Sequence, residues 1–415
     1  MQNIYNDAKQ MIHTIIADNM PQQAVENALR SHTFTGNIYL IAIGKAAWTM
    51  AQAASGFLGD QLRQGIVVTK YEHSLGPLPK IEIFEAGHPV ADENTIEATH
   101  RCVELAESLG EEDELLFLVS GGGSALFEKP LEGITLEDVQ NITSRLLASG
   151  ADIIEMNMVR KRLSAVKAGR FAKTVAPAKV FAIILSDVLG DRLDSIASGP
   201  AVPDASTVAD AAKVVEKYGL ELTDLQSKYF AEETPKQIDD VKTVITGSVR
   251  TLCESAAKAA KELGYTPYVL STTMSCEAGE VGRLLGSIAA DVQDGGTCFV
   301  KPCAIILGGE TLVTLKGKGK GGRNQELALS AAKGISGRDD ILIFSLGSDG
   351  TDGPTDAAGG IVDGATVTKL REQGLDIDRV LADNDSYHGL QAIDGLIITG
   401  PTGTNVNDVT VVLCR

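Results

Sequence analysis

The chain has 415 residues, of which 44% are hydrophobic and 22% charged, a balance that predicts a globular protein of two or three domains. Its formal net charge of −18 argues against a nucleic-acid-binding protein, because such binding depends on many cations that neutralise phosphates. No apolar run approaches the roughly 20 residues of a membrane span, and the N-terminus lacks the pattern of a signal peptide. With six scattered cysteines and no C-x-x-C pair, the sequence predicts reduced thiols, a cytoplasmic location and no membrane partner.

The first half of the chain alternates between short apolar runs and segments of helical periodicity. Apolar residues recur at helical spacing from Ile4 to Ile16 and predict an N-terminal helix. The apolar runs predict strands at 38–43, 65–69, 81–86, 114–119 and 180–185, and the segments between them predict helices at 46–54, 95–109, 135–148 and 208–218.

The second half repeats this alternation without an internal repeat of fixed period. Strands are predicted near 241–245, 267–270, 304–307, 312–315, 341–346 and 396–399, and helices near 252–263, 277–291 and 324–333. Alternation of this kind predicts an α/β fold with mainly parallel sheets flanked by helices. The polar stretch 221–240 is the best candidate linker. We therefore predict domains 1–240 and 241–415, with the opening helix able to pack on either.

Two polar loops follow predicted strands in the first half, where parallel sheets bind ligands beyond their carboxyl ends. Gly44-Lys45 opens a helix, and a lysine at a helix N-terminus is electrostatically awkward unless an anion lies beside it. A solvated lysine explains this motif equally well. Ser120-Gly-Gly-Gly-Ser124 favours a nest of backbone N–H groups for an anion over a simple tight turn. We predict that Ser120, Gly121, Gly122, Gly123 and Ser124 bind a nucleotide or phosphate.

Two further groups of polar residues lie between these loops and residue 240. Asn157, Arg160, Lys161 and Lys167 lie along a probable helix. A cationic helix face is usually a solvated surface, but in so acidic a chain it could receive a substrate carboxylate. Asp187 and Asp191 follow the strand 180–185. They could hold Mg²⁺ or accept a hydroxyl proton, although two Asp in a turn also occur for structural reasons alone.

The last quarter contains three glycine-rich polar runs, at 317–326, 347–356 and 399–408. Glycines let backbone N–H groups approach an anion closely, so these runs are typical of a site for phosphate and a divalent cation. Arg323 stands at the start of a helix and could stabilise charge on a transferring phosphoryl group. Other polar side chains complete the set: Glu310, Asp349, Asp352, Asp356, Asn405 and Asp408.

Standard nucleotide and hydrolase motifs are missing from this sequence. It contains no G-x-x-x-x-G-K-[ST], no G-x-S-x-G and no H-E-x-x-H. Gly317, Gly319 and Gly322 match G-x-G-x-x-G formally, but no clear ribose-binding acid follows. This weak match keeps an NAD(P)H-dependent enzyme as an alternative.

Taken in order, the motifs resemble those of the bacterial-type glycerate 2-kinase family, whose C-terminal part is called the MOFRL domain. Members are often labelled hydroxypyruvate reductase or tartrate-utilisation protein. The resemblance covers nearly the whole chain, and its motifs are 43–46, 87–89, 120–125, 157–167, 185–188, 198–200, 309–310, 321–327, 352–358 and 399–408. Ser248 and Ala91 depart from residues that many relatives have, and Ser248 puts a ligand contact at a helix start in doubt.

The resemblance implies ATP-dependent phosphorylation of D-glycerate at its 2-hydroxyl with Mg²⁺. It places the site in a cleft between a Rossmann-like N-terminal domain and a MOFRL-type C-terminal domain, with Lys45 and Arg323 as the leading catalytic cations. Asp187, Glu310, Asp349 and Asn405 match other polar positions of the family site.

From the residues and the resemblance together, we predict three sets of site residues. Lys45, Asp187 and Arg323 are catalytic; Asn157, Arg160, Lys161 and Asn405 bind substrate; Asp191, Glu310 and Asp349 hold Mg²⁺. The alternatives are an NAD(P)H-dependent hydroxypyruvate reductase and a non-enzymatic nucleotide or metabolite sensor. The sequence also leaves room for a homo-oligomer.

Overall fold

The computed structural model describes residues 4–296 and 298–415, which divide into two compact units. The first unit is Pro21–Thr246, and the second combines the chain up to Met20 with Gly247–Arg415. None of the helices in the described residues is both long and apolar enough to cross a membrane.

These units differ from the predicted domains 1–240 and 241–415 at both ends. The strand Val241–Gly247 adds an edge to the first sheet, which moves the boundary beyond residue 240. The opening helix packs against helix Val249–Glu262 and therefore belongs to the second unit.

The strands, numbered in chain order, are β1 (Asn37–Ile43), β2 (Leu62–Lys70), β3 (Ile81–Ala86), β4 (Asp113–Val119), β5 (Lys179–Leu185), β6 (Val241–Gly247), β7 (Thr266–Met274), β8 (Cys303–Gly309), β9 (Ile341–Gly347), β10 (Gly359–Asp363), β11 (Leu396–Ile397) and β12 (Asp408–Cys414).

The α-helices, also in chain order, are α1 (Ile4–Asp18), α2 (Pro21–Arg30), α3 (Ala47–Leu58), α4 (Glu93–Glu107), α5 (Gly123–Leu126), α6 (Leu136–Ala148), α7 (Ile153–Leu163), α8 (Arg170–Val175), α9 (Val208–Lys217), α10 (Asp224–Phe230), α11 (Val249–Glu262), α12 (Ala278–Asp294), α13 (Arg323–Ala332), α14 (Thr366–Glu372), α15 (Ile377–Ala382) and α16 (Ser386–Gln391).

The first unit contains a six-stranded sheet in the order β3-β2-β1-β4-β5-β6, and the pairs from β3 to β5 are all parallel. This is the doubly wound order, in which the strand sequence reverses between β1 and β4. Leu40 and Ala42 pack into one core, and Ile41 and Ile43 into another. Because both faces are buried, β1 appears in the sequence as a continuous apolar run.

The second unit contains a mixed sheet in the order β11-β10-β9-β12-β8-β7. Only β7 and β8 pair in parallel, so the prediction of a mainly parallel second sheet is wrong. The last strand, β12, runs antiparallel between β8 and β9. Hydrophobic runs indicate that a segment is a strand, but its direction depends on distant partners.

Two predicted strands of this unit are also corrected. The segment 312–315 forms no strand, and only Leu312 makes an isolated bridge, with Glu277. The predicted strand 396–399 is shortened to Leu396–Ile397.

Helix starts follow local hydrogen-bonding signals. Helix α7, which carries several predicted site residues, begins with a capping box. The Asp152 side chain accepts from the Glu155 N–H at 2.8 Å, and the Glu155 side chain accepts from the Asp152 N–H at 3.2 Å. This exchange satisfies two N–H groups that the helix itself leaves unpaired.

Helices α12 and α13 of the second unit pack closely because Gly282, which has no side chain, lies where they touch. A Cβ atom on Gly282 would overlap the Leu327 carbonyl oxygen and lie 2.9 Å from Ser330 Cβ. The close approach therefore requires glycine at this position.

We expect Gly282→Ala to lower the free energy of unfolding by about 1–3 kcal/mol, because overpacking a close contact forces neighbouring atoms apart. Gly279→Ala on the same helix is the matched control, since its added methyl would lie 3.6 Å from the nearest atom, Glu326 Oε1. Alanine is also the better helix former. Thermal unfolding of both variants measures the change in stability. An unchanged Tm for Gly282→Ala would contradict the argument that the helix contact has no room for a methyl group.

Candidate active site

The loops after β1 and β4 meet at the point where the strand order reverses. The Lys45 N–H donates to the Gly121 carbonyl at 2.9 Å, and the Ala46 N–H donates to Ser120 Oγ at 3.1 Å. Gly44 has a φ of +112°, and a Cβ there would overlap Ser120 Oγ. Gly44 is therefore required both by its backbone conformation and by the close approach of the two loops.

Charged side chains lie directly against the glycines of the β4 loop. The position that a Cβ would occupy on Gly121 is 2.9 Å from Asp187 Cγ. The corresponding position on Gly122 is 2.9 Å from His88 Cδ2 and 3.3 Å from Lys45 Cγ. The structure thus brings the predicted residues Lys45 and Asp187 to one glycine turn, together with a histidine.

His88 is a site residue that our sequence prediction did not include. It follows β3 directly, within the family motif 87–89, so its position after a strand end was a signal that could have identified it. Burial lowers the pKa of His88 to about 4, and the positive charges of Lys45, Lys70 and His73 act in the same direction. The imidazole is therefore neutral at pH 7.

Two cations fix the end of the same loop by sharing one carbonyl oxygen. The Ser124 carbonyl accepts from Arg160 Nη2 at 3.1 Å and from Lys167 Nζ at 2.9 Å. The Ser124 and Ser198 hydroxyls are 3.0 Å apart, and Ser198 Oγ donates to Asn157 Oδ1 at 3.0 Å. Asn157 and Arg160 therefore support the loop, and they do not form a solvated surface.

Lys161 is engaged within the protein. Its ammonium lies 3.2 Å from Asp204 Oδ1 and 3.5 Å from Asp194 Oδ2, and its side chain is only 3% exposed. Asn157 and Lys161 line a cavity of about 160 Å³ together with Arg192 and Asp194. The two carboxylates neutralise Lys161, which weakens the case that it binds a substrate carboxylate.

Lys167 and Glu128 form a buried ion pair beneath the loop. Lys167 Nζ is 3.3 Å from Glu128 Oε2, and both side chains are at most 2% exposed. The Phe127 carbonyl also accepts from Lys167, at 2.8 Å. Burial lowers the pKa of Lys167 to about 8 despite the opposing effect of Glu128.

Asp191 lies in a turn four residues beyond Asp187. It has a positive φ of +52°, and its N–H donates to the Val188 carbonyl at 3.1 Å. Asp191 is half-buried, and both Asp191 and Asp187 lie in the loop that follows β5.

A second cluster forms in the other unit, where three strands are in register. Asp408 begins β12 and stands opposite Gly309 at the end of β8 and Gly347 at the end of β9. The loops that start at Glu310 and Ser348 therefore flank Asp408.

Arg323, at the start of α13, binds two carboxylates of this cluster. Its Nε and Nη2 donate to the two oxygens of Asp408 at 2.6 and 3.0 Å, and its Nη1 donates to Glu310 Oε1 at 2.9 Å. Burial raises the pKa of Asp408 to about 6, while the bonds from Arg323 act in the opposite direction, so the carboxylate is ionised at pH 7. The fork fixes the guanidinium in one orientation.

Asp349 lies in the same cluster, and its chemistry fits a magnesium ion. Asp349 Oδ1 and Asp408 Oδ1 both lie within 3.4 Å of the point that a Cβ on Gly347 would occupy. Mg²⁺ takes oxygen ligands, usually one or two carboxylates with water and substrate phosphates. Within the part of the chain that the structure describes, no group of three or more His, Cys, Asp or Glu could hold a metal alone.

The remaining predicted residues make local hydrogen bonds. Asn405 Oδ1 accepts from the Asn407 N–H at 3.4 Å. Asp352 caps α13 by accepting from the Asn324 and Gln325 N–H groups, and Asp356 accepts from the Tyr387 hydroxyl. Ser248 caps α11 by accepting from the Thr251 N–H.

The Lys-Gly run at 316–320 donates hydrogen bonds to side chains at 383–385 of its own unit. Its N–H groups at 317, 318 and 320 donate to Asn384 Oδ1, Asp383 Oδ1 and Asp385 Oδ1 at 2.8–3.0 Å. The Gly319 N–H donates to the Asp383 carbonyl at 2.8 Å. Since these donors are already occupied, the expectation that this run holds phosphate is not supported by its geometry.

Comparison with known proteins places the chain in a family. The model of a domain of unknown function, DUF4147, matches residues 7–230, and the MOFRL family model matches residues 303–408. D-glycerate 2-kinase of Thermotoga maritima is 54% identical over 94% of each chain, and glycerate 2-kinase of Pyrococcus horikoshii is 44% identical over 91% of this chain and 87% of its own.

A solved structure agrees with these relatives. The crystal structure of glycerate kinase from T. maritima superimposes with a TM-score of 0.97, at 51% identity, over the full length of both chains. The chain therefore belongs to the glycerate 2-kinase family with a C-terminal MOFRL domain, and its two-unit α/β fold is the fold of that kinase.

The buried Lys167–Glu128 pair provides a stability test of the loop's support. We expect Lys167→Met to lower the free energy of unfolding by about 3–5 kcal/mol, because it leaves Glu128 buried and unpaired. The double variant Lys167→Met/Glu128→Leu removes both charges and should recover most of the loss. Urea unfolding of the single and double variants measures the coupling, and additive losses would contradict a direct pair.

Proposed function

We propose that the protein is an ATP- and Mg²⁺-dependent kinase that phosphorylates D-glycerate at its 2-hydroxyl. The observation that carries the proposal is the approach of Lys45 and Asp187 to one glycine turn where the strand order reverses, in a chain of the glycerate 2-kinase family. A cation and a carboxylate at such a crevice are the groups that bind an anionic acceptor and orient its hydroxyl.

In this proposal Asp187 accepts the proton of the 2-hydroxyl. The hydroxyl oxygen then bonds to the γ-phosphorus of ATP, the bond to the β,γ-bridging oxygen breaks, and ADP leaves. Lys45 neutralises negative charge that the acceptor and the phosphoryl group bring to the turn. Transfer of this kind needs little covalent help, so positioning and charge dominate.

In this proposal the loop 120–124 holds an anionic group through backbone N–H donors other than those of Ser120 and Gly123, which donate to the Ile43 and Ser120 carbonyls. We assign Arg160 and Asn157 to the support of this loop, since Arg160 holds the Ser124 carbonyl and Asn157 accepts from Ser198. Asn405 remains a proposed substrate-binding residue.

Arg323 acts on the transferring phosphoryl group in this proposal. Three of its five N–H donors are fixed by Asp408 and Glu310, and an arginine so oriented stabilises charge without reorganisation. Glu310 and Asp349 of the second unit are proposed ligands for Mg²⁺, which would neutralise the nucleotide phosphates, and Asp191 of the first unit stays a predicted ligand.

The alternative of an NAD(P)H-dependent hydroxypyruvate reductase has less support. It depended on Gly317, Gly319 and Gly322, but the N–H groups at 317 and 319 already bind Asn384 and Asp383. We also propose a cytoplasmic location, because the reaction consumes ATP and the cysteines of the described residues are unpaired.

The reaction itself is tested by phosphorus NMR of the protein with D-glycerate, ATP and Mg²⁺. We expect a 2-phosphoglycerate signal, and we expect Asp187→Asn to abolish most of its formation because the hydroxyl loses its proton acceptor. Asp60→Asn, which changes an exposed carboxylate, is the control. Formation of 3-phosphoglycerate would overturn the acceptor position, and intact ATP would overturn the kinase.

The role of Arg323 is tested against a matched arginine. We expect Arg323→Lys to lower kcat by about 10²-fold or more. An arginine that stabilises the transferring phosphoryl group raises kcat by a factor of roughly 10³–10⁵, and lysine would keep its charge but not its planar set of donors. Arg338 makes a similar fork with Asp294, at 2.6 and 3.0 Å, on the surface. Arg338→Lys should leave kcat unchanged, and an equal loss in both variants would refute the assignment.

A further inference from the structure

The His88 imidazole faces the glycine turn that the proposed mechanism uses, yet the mechanism gives it no role. Its ring lies against Gly122, with Cδ2 and Nε2 at 2.9 and 3.0 Å from the position of a Cβ on that glycine. Gly122 has a φ of +83°, so its conformation as well as its contact favours glycine. The ring is half-buried and therefore open to a bound ligand.

The groups whose charges lower the pKa of His88 come from the ends of two neighbouring strands. Lys45 follows β1, Lys70 ends β2, and His73 follows it, with the His73 Nδ1 3.2 Å from the Lys45 carbonyl oxygen. Two carboxylates lie near these groups: Asp187 faces the turn from the side of Gly121, and Asp92 accepts a hydrogen bond from the N–H of Gly87, the residue before His88.

The charged groups that shift the pKa of His88 all lower it, and a bound anion would oppose them. A histidine near cations in a partly buried position resists protonation, as its low pKa indicates. An anion bound at the turn would reverse the local field and favour the protonated imidazole. Perturbed groups of this kind are typical of binding sites.

We propose that His88 is a ligand of the anionic group held at Gly121–Gly122 and that its imidazole takes up a proton when that group binds. The identity of the anion rests on the proposed function: it is either the carboxylate of glycerate or a phosphate of the nucleotide. Once protonated, the ring adds a charged hydrogen bond to the one that Lys45 supplies.

Isothermal calorimetry at pH 6, in two buffers of different ionisation enthalpy, measures the proton uptake directly. D-glycerate and Mg-ATP are titrated separately into the wild-type protein, His88→Asn and His100→Asn. His100 is an exposed histidine beside Glu104 and serves as the control. If binding raises the pKa of His88 to its ordinary value of about 6.5, the wild type and His100→Asn take up roughly half a proton or more that His88→Asn does not.

The two ligands distinguish the source of the anion. If D-glycerate causes the proton uptake that depends on His88, the anion at the turn is the glycerate carboxylate; if Mg-ATP causes it, the anion is a phosphate. Subtracting the uptake of His88→Asn from that of the wild type cancels any proton uptake by the ligand itself. Equal uptake by the wild type and His88→Asn with both ligands would overturn the proposal.

Selective ¹³C labelling of histidine provides a second measurement in the wild-type chain, which does not depend on the folding of a variant. The His88 resonance should titrate at low pH in the free protein and at higher pH with the ligand, and an unmoved midpoint would refute the proposal. If ligand binding takes up a proton through His88 but the NMR assay shows no product, the kinase proposal fails and the His88 proposal stands. If product forms but binding takes up no proton, the His88 proposal fails and the kinase proposal stands.

Discussion

The strand order of the first sheet is the constraint on which its loop cluster depends. Because the order reverses between β1 and β4, the connections from these two strands leave in opposite directions and a crevice opens at their carboxyl ends. The loops are then so close that side chains at Gly44 and Gly121 would collide with Ser120 and Asp187. Glycine at position 44 is a steric requirement of the topology, because a Cβ there would also overlap backbone atoms of Ser120, whereas at Gly121 the overlap is with a side chain that can rotate. Lys45 reaches the same turn because it follows the neighbouring strand.

The second sheet assembles its cluster by a different route. An antiparallel strand, β12, lies between two strands that run the other way, so its first residue, Asp408, meets both of their ends. The charge balance also differs between the clusters. Asp408 and Glu310 hold Arg323 in one orientation, whereas the charged groups that shift the pKa of His88 are Lys45, Lys70 and His73. The first arrangement suits positioning, and the second suits capture of an anion.

The sequence predicted much of this architecture and a defined part of the site. Apolar runs located most strands, and the rule that ligands bind beyond strand ends selected Lys45, Asp187 and the 120–124 loop, which the structure brings together. The direction of β12 and the burial of Lys161 could not be predicted in this way. Both depend on partners far along the chain, and a cationic helix with buried counter-ions has the same local sequence as a solvated one.

Glycine-rich runs show most clearly where sequence reasoning stops. Such a run indicates that something approaches the backbone closely, but not what that is. At 317–320 the approaching groups are oxygens of Asp383, Asn384 and Asp385, which occupy the N–H donors. At Gly121–Gly122 they are the side chains of Asp187, His88 and Lys45, two of which can carry positive charge. The glycines are alike in both loops, so only the groups packed against them distinguish a run whose N–H donors are occupied from the loop that we propose to bind an anion.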